Sequence, residues 1–402
     1  MNKTENVIYI PRILLPVDNG EEAMRAWSVI ACDQFTSDRA YWETLDREIG
    51  DKPSSLRLIF PEAFLKDADS EQRVKNINRT MLSYERKGVF KKMPRGFMLT
   101  ERSTRYTKEK RYGIVLAVDL ERYSFAPRSE AAIRATEETV PERIPPRVKI
   151  RQGASLELPH VMLLYDVREK EIIGDELDNL SSIEKLYDFE LNQGGGHLRG
   201  WFLDEARSKK IAEKLYETAG DMLFAVGDGN HSLATAKTCW ENIKKNLSEE
   251  EKETHPARYA LCEAVSIYSP ALTFEPIHRF VAGVDAEKFI SCFKHKVTLP
   301  VVREGRILTF IGNYDVVQAI RETDAAIAEY IKAEGGDVDY IHGNEELCSL
   351  TEASPDCVGV KLKEISKDGF FKAVQAGGSL PRKTFSMGEG AEKRYYTECK
   401  EI

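Results

Sequence analysis

The sequence predicts an α/β fold, with α+β as the other arrangement its pattern allows. Three observations carry this reading. Short apolar runs of strand length, such as "GIVLAV" and "VMLLY", recur between longer stretches with helical spacing. Strands and helices alternate without the regular spacing of a βαβ array, so a mixed sheet is expected at the core. The chain has 402 residues, too many for one small core. A main α/β domain over residues 1–280 and a smaller C-terminal α/β lobe over 281–402 are therefore expected.

In chain order, residues 7–15 and 27–31 read as short strands around a proline-containing connection. "TSDRAYWETLDREIG" reads as a helix that starts at a Ser or Thr cap and stops at Gly50. "SEQRVKNINRTMLSYERKG" is a second, amphipathic helix, with Val74, Ile77, Met81 and Tyr84 at helical spacing. Arg111–Tyr123 and His160–Val167 read as strands. "IAEKLYETA" is helical and leads into the strand "MLFAV", a tight turn, and a helix from about His231. "EEEKETHP" is a charged surface stretch, after which "ARYALCEAVSIYSP" is apolar again. Beyond Phe280, "RILTFIGNYD", "DVVQAIRETDAAIAEYIKAEGG" and "VGVKLKEIS" read as further strand and helix. The final "LPRKTFSMGEGAEKRYYTECKEI" is dense in charge and aromatics and is assigned to the C-terminal lobe.

Composition narrows the function classes. Hydrophobic residues make up 42% and charged residues 31%, the balance of a folded globular chain. A net charge of −8 makes the chain a poor general partner for nucleic acid or an anionic membrane. No apolar run approaches the roughly 20 residues of a membrane span. The N-terminal apolar runs are broken by Pro11, Arg12 and Pro16, unlike a secretory signal. Seven scattered cysteines with no C-x-x-C pair read as reduced thiols in a cytoplasmic protein.

The most informative stretch is "MLFAVGDGNHSLATAKTCWENIKKN". A helix start leaves backbone N–H groups without intrahelical partners and is partially positive, so it stabilises an anion. Gly227 and Gly229 would permit positive φ and close approach of a ligand. Asp228 could hold a metal or orient a hydroxyl, and His231 could meet phosphate or carry a proton. Ser232 and Thr235 add hydroxyls in the first turn. Leu233, Ala236, Trp240, Ile243 and Leu247 form the apolar stripe that aims the turn. The other reading is a well-made strand-to-helix turn, since Asp-Gly is a common turn pair and Asp or Asn a common cap. G-x-x-x-x-G-K-[ST] is absent, and Ser232 stands where G-x-G-x-x-G needs its third glycine.

"IRATEETVPERIPPRVKIRQG" is the second such stretch. Read as a strand, "RVKIR" puts Val148 and Ile150 on one face and Arg147, Lys149 and Arg151 on the other. Those cations suit phosphate or carboxylate, or a solvated edge strand. Glu137 is a candidate general base, or one half of a surface ion pair. Asp33 sits between a strand and a helix and belongs to a site or to a turn. "NQGGGHLRGW" reads as a hinge or flexible loop more readily than as a ligand cradle, and His278 with Arg279 in "EPIHR" as a site pair or a structural one. The histidines lack H-x-H and H-E-x-x-H spacing, so zinc is not expected, and no G-x-S-x-G elbow is present.

The strings "VIACDQFTS", "IRATEETV", "RIPPRVKIR", "LELPHVM", "GDGNHSLATAK", "FEPIHR" and "LPRKTFSMGEGAEKRYY" occur here in order. In them the chain resembles, from about Ile13 to its end, the bacterial and archaeal family catalogued as domain of unknown function 1015. The turn is also similar to the Asp-Gly-x-His-Arg pattern of free-serine kinases in the ParB and sulfiredoxin-like superfamily. That resemblance implies a phosphate-binding helix start within the mixed-sheet core and a glutamate base. Carried over, Asp228, Gly229 and His231 match the phosphate and metal motif, and Asn230 lies within it. Ser232 departs from the arginine, for which Arg147 or Arg151 would have to substitute. Glu137 and Thr139 match a His-Glu-x-Thr motif of the family, whereas Thr136 replaces its histidine.

The resemblance implies a kinase-like phosphotransferase using ATP or ADP with Mg²⁺, acting on a small hydroxyl metabolite, with serine or phosphoserine favoured. In this reading Glu137, Asp228 and His231 are catalytic and Asp228 is the metal ligand. Gly229, Asn230, Ser232, Arg147, Arg151, His278 and Arg279 bind phosphate or nucleotide. Partners are then a small-molecule substrate and a nucleotide, with a homodimer left open. A nucleotide- or metabolite-sensing regulator without chemistry and a phosphoserine phosphatase are the alternatives.

Overall fold

The computed structural model describes residues 6–293, 300–303, 306–309, 316–354 and 356–402. It forms two compact units: one runs to Leu272 and includes Glu389–Ile402, and the other is Thr273–Gly388. This division differs from the expected 1–280 and 281–402. Residues 273–280 go with the second unit, and of the charged, aromatic tail Glu389–Ile402 returns to the first while residues 380–388 stay in the second.

The first unit is built on an eleven-stranded sheet. Its path runs Lys185–Glu190, His197–Asp204, Phe90–Ser103, Arg111–Asp119, Tyr259–Ser266, Met162–Tyr165, Phe224–Asp228, Ile133–Ala135 and Tyr123–Ser124. Ile8–Tyr9 and Arg12–Pro16 pair off this path. Phe224–Asp228 is antiparallel to Met162–Tyr165 and parallel to Ile133–Ala135, so the sheet is mixed and the fold α/β as expected.

Both faces of this sheet are covered, which explains its nearly continuous apolar strands. Phe97, Leu99, Ile114, Leu116 and Val118 join one core with Ile172, Ile211, Leu215, Leu233 and Trp240 from helices. Met98, Val115 and Leu261 join the opposite core with Trp27, Trp42, Leu45, Ile77 and Met81. The strand period of two divides neighbouring residues between these two layers.

Most expected elements are present with shifted ends. The helix Arg39–Ile49 starts from Asp38, whose carboxylate accepts the Tyr41 N–H, rather than from a Ser or Thr. Residues 27–31 are divided between the end of the helix Glu21–Trp27 and the strand Val29–Ile30. "RVKIR" is a correction: it belongs to the helix Ile144–Arg151 and not to a strand. Pro145 and Pro146 occupy the first turn, where a missing N–H breaks no intrahelical bond. Five alternating residues cannot by themselves separate the two periods.

The second unit has its own six-stranded sheet, with Phe274–Ala282 paired to Asp337–His342, Cys357–Val360 and Phe385–Met387. The helix Val316–Glu334 buries Ile320, Ile327 and Tyr330 in this unit's core. The expected strand "RILTFIGNYD" is a strand over Arg306–Thr309, and its residues 310–315 lie outside the described residues. All seven cysteines are free. Among the described residues no helix is long and apolar enough to cross a membrane.

Candidate functional site

The strand Phe224–Asp228 delivers Asp228 to the start of the helix Asn230–Ile243. Gly229 makes the turn at φ +81°, and a Cβ there would stand 3.0 Å from the Val161 Cα. A side chain at this position therefore meets both backbone strain and a wall. Gly227 does not take positive φ. Asp228 Oδ1 accepts the Gly229 N–H at 3.1 Å, and its Oδ2 lies 3.5 Å from Lys393 Nζ. Leu233, Ala236 and Trp240 are buried as the stripe predicts.

One side of the helix start is laced to the loop that carries Glu137. Asn230 Oδ1 accepts the Thr136 N–H at 3.2 Å, and Asn230 Nδ2 donates to Thr136 Oγ1 and the Val226 carbonyl. Thr136 Oγ1 donates to the Val226 carbonyl at 2.5 Å. His231 Nε2 accepts the Val140 N–H at 3.3 Å. These bonds hold the half-buried Glu137 on a loop tied at both ends to the motif turn. They also engage the amide of Asn230, leaving its backbone N–H as its contribution to an anion site.

The other side is organised by His160, a buried residue of "LELPH" to which sequence reasoning gave no role. Its Nε2 lies 3.0 Å from Ser232 Oγ and 3.6 Å from Asp33 Oδ2. Its Nδ1 lies 2.7 Å from the Tyr396 hydroxyl. Burial acts to lower the His160 pKa, but the charge and hydrogen bond of Asp33, with Asp228 and Glu62, raise it overall. Burial acts to raise the Asp33 pKa, but His160 by charge and hydrogen bond, then Gln34 and Lys393, hold it well below the usual carboxylate range. The two form a charge-assisted pair. Burial and the neighbouring Asp33 push the Cys32 thiol up to about 12, so it stays protonated.

Arg147 and Arg151, one helical turn apart, face a cavity of about 150 Å³ that also reaches Ser232, His160 and Tyr396. Neither guanidinium points there alone. Arg147 pairs with Glu62, and Arg151 with Glu157. A phosphate contact from either arginine would share its guanidinium with that carboxylate.

The structure thus gathers Asp228, Gly229, Asn230, His231 and Ser232 on one turn, with Glu137 on the adjoining loop and Arg147 and Arg151 on the neighbouring cavity wall. His278 and Arg279 belong to the second unit and have partners there. Arg279 is fully buried, pairs with Asp324 at 2.8 Å and donates to the carbonyls of Ile277, Arg382 and Lys383. His278 Nδ1 accepts the Leu362 N–H, and burial, then Lys361, brings its pKa down to about 4. Both side chains therefore bind their own unit together. Besides His160, sequence reasoning missed Lys393 and Tyr396, because they stand far along the chain in a tail assigned to the other lobe.

Among the described residues no group of three or more His, Cys, Asp or Glu could hold a metal. Mg²⁺ bound with substrate phosphates keeps several waters and needs only one or two protein carboxylates. Asp228 fits that demand, since one of its oxygens meets only its own turn and the other an ammonium 3.5 Å away.

Several solved structures are distantly similar. A mutant free serine kinase in complex with ADP is 9% identical with a TM-score of 0.38, over 70% of this chain and 90% of that one. A C-terminally truncated SbnI from Staphylococcus aureus is 9% identical with a TM-score of 0.38, over 70% and 85%. A conserved hypothetical protein from Pyrococcus furiosus is 9% identical with a TM-score of 0.35, over 72% and 94%. No curated protein matches the chain at a significant level. Residues 14–396 match the family described as "Protein of unknown function (DUF1015)", and the chain belongs to it.

Proposed function

We propose that the protein is a nucleotide-dependent phosphotransferase acting on a small hydroxyl compound. The observation that supports this most is the meeting of a left-handed glycine, Asp228 and the Glu137 loop at one helix start. Backbone N–H groups of residues 230–232 would hold the transferring phosphate. The acceptor oxygen attacks the terminal phosphorus, the bond to the leaving diphosphate breaks, and the hydroxyl proton passes to the Glu137 carboxylate. Asp33 is a poorer base, because its pairing with His160 holds its proton affinity down. Lys393 supplies positive charge where negative charge develops, and His160, whose pKa Asp33 raises, adds to it when protonated. Mg²⁺, when bound beside Asp228, neutralises the phosphates.

Purified protein with serine and ATP·Mg²⁺, and with phosphoserine and ADP·Mg²⁺, tests this directly. The expected result is phosphoryl transfer that falls on the order of 100-fold in Asp228→Asn. Absence of transfer in both directions with every hydroxyl compound tried overturns it. Phosphate release without nucleotide product would instead identify a phosphatase. Binding without chemistry is favoured by one feature: Ser232, in place of the arginine, is bonded to His160. Calorimetric nucleotide binding with no product over hours would select that reading.

A further inference from the structure

The cavity beside the helix start has a divided character. Apolar residues, among them Leu58, Ile77, Met81, Ile150, Leu156 and Leu233, make most of its wall, whereas Ser232, His160 and Tyr396 meet it together. Its charged wall residues are neutralised in pairs, Arg147 with Glu62 and Arg151 with Glu157. His160 is balanced by Asp33. A charged ligand group inside would lose water and find each opposite charge already taken. An uncharged apolar group would lose nothing but contact with water.

Size limits the occupant. A cavity of about 150 Å³ lined by aliphatic side chains holds a single benzene-sized ring, and this cavity has about that volume. Glu62 and Arg147 on its wall keep 17% and 16% of their side-chain surface exposed, so solvent reaches this part of the lining.

We propose that this cavity is a binding subsite for the uncharged apolar body of an alcohol, either one aromatic ring or a branched chain of similar size. The alcohol's hydroxyl leaves the cavity at Ser232, the lining residue that belongs to the motif turn. The inference deepens the phosphotransferase reading by naming the acceptor class, and it rests on that reading only for the hydroxyl's fate. Serine, small and charged at both ends of its backbone, fills no part of such a wall.

Ligand-observed saturation-transfer NMR on the full chain, with no nucleotide present, tests the subsite. Benzyl alcohol and 3-methylbutan-1-ol are expected to receive saturation, and ethanol at least 10-fold less. Ala154→Phe fills the cavity from a half-buried wall position and is expected to abolish the transfer while circular dichroism stays unchanged. If that variant does not fold, Leu158→Trp, also half-buried on the wall, is read in its place. No saturation of either larger alcohol, or saturation that persists in a folded filled variant, overturns the proposal. Binding of benzyl alcohol without phosphoryl transfer to any alcohol keeps the subsite and removes the phosphotransferase reading. Transfer to serine with no alcohol bound does the reverse.

Discussion

Nε2 of His160 lies 3.0 Å from Oγ of Ser232, joining the approach to a central strand to the first turn of the motif helix. The same ring meets Tyr396 on its other nitrogen, so one imidazole ties the middle of the chain to its tail. Whether Ser232 donates or accepts depends on the protonation of this ring, which Asp33 controls.

Asp33→Asn is therefore expected to lower the His160 pKa. With the carboxylate gone, burial, the largest opposing influence, takes over. NMR titration of the imidazole reads the shift. The raised His160 contributes stability that is complete below about pH 6.5 and is lost as pH rises through its folded value. The depressed Asp33 contributes stability that is present above about pH 3.9 and is lost as pH falls through its folded value. Urea unfolding from pH 3 to 9 should show the wild type losing this advantage over Asp33→Asn at both ends. Parallel curves across the whole range would contradict the pairing.

Gly229→Ala should destabilise the first unit by at least about 1–2 kcal/mol from left-handed backbone strain alone. The contact of the new methyl with Val161 adds to that. Gly227→Ala has no positive φ to oppose it and should cost less. Denaturant midpoints of the two variants make the comparison.

Thr136→Val keeps the shape but removes the hydroxyl that serves the Val226 carbonyl and the Asn230 amide. A loss of about 1–3 kcal/mol is expected for leaving buried partners unsatisfied. The loop carrying Glu137 should open more readily, seen as faster amide exchange at Glu137–Val140. Unchanged exchange there would separate the loop from the motif turn.

Arg394→Met tests how the tail is held. Arg394 bridges Glu263 at 2.8 Å and Glu398 at 2.5 Å, all three side chains being buried. Burial pushes the Glu263 pKa up, but Arg394 and Arg111 bring it down to about 2. Removing the cation leaves buried carboxylates uncompensated, a loss of about 3–5 kcal/mol. Adding Glu263→Gln should return part of that, which a thermal melt of single and double variants measures.

Much of the framework was legible because periodicity reports burial. The helices around Trp42 and Ile77, the strands at 111–119 and 162–165, and the stripe behind the motif turn follow from apolar spacing alone. "RVKIR" was misread because a five-residue alternation fits either period and the two prolines before it suit a helix start. The motif turn was legible from Gly229 and Asp228. Its surroundings were not, because His160, Asp33, Lys393 and Tyr396 are separated by hundreds of residues or by whole elements. Asp33 could be weighed locally, but nothing adjacent in sequence announces a histidine 127 positions later. The arginines showed the reverse limit: their number was visible, their carboxylate partners Glu62 and Glu157 were not.

The tail has a consequence for the order in which the molecule comes into being. Synthesis runs from the N-terminus, so the motif turn leaves the ribosome early while Lys393 and Tyr396 are still unmade. The whole second unit is translated in between. Until the tail arrives, His160 lacks its Tyr396 partner and Asp228 its neighbouring ammonium. A nascent chain stalled in the second unit therefore carries the motif but not the assembled site, which is completed only once the segment bearing Lys393 and Tyr396 has left the ribosome.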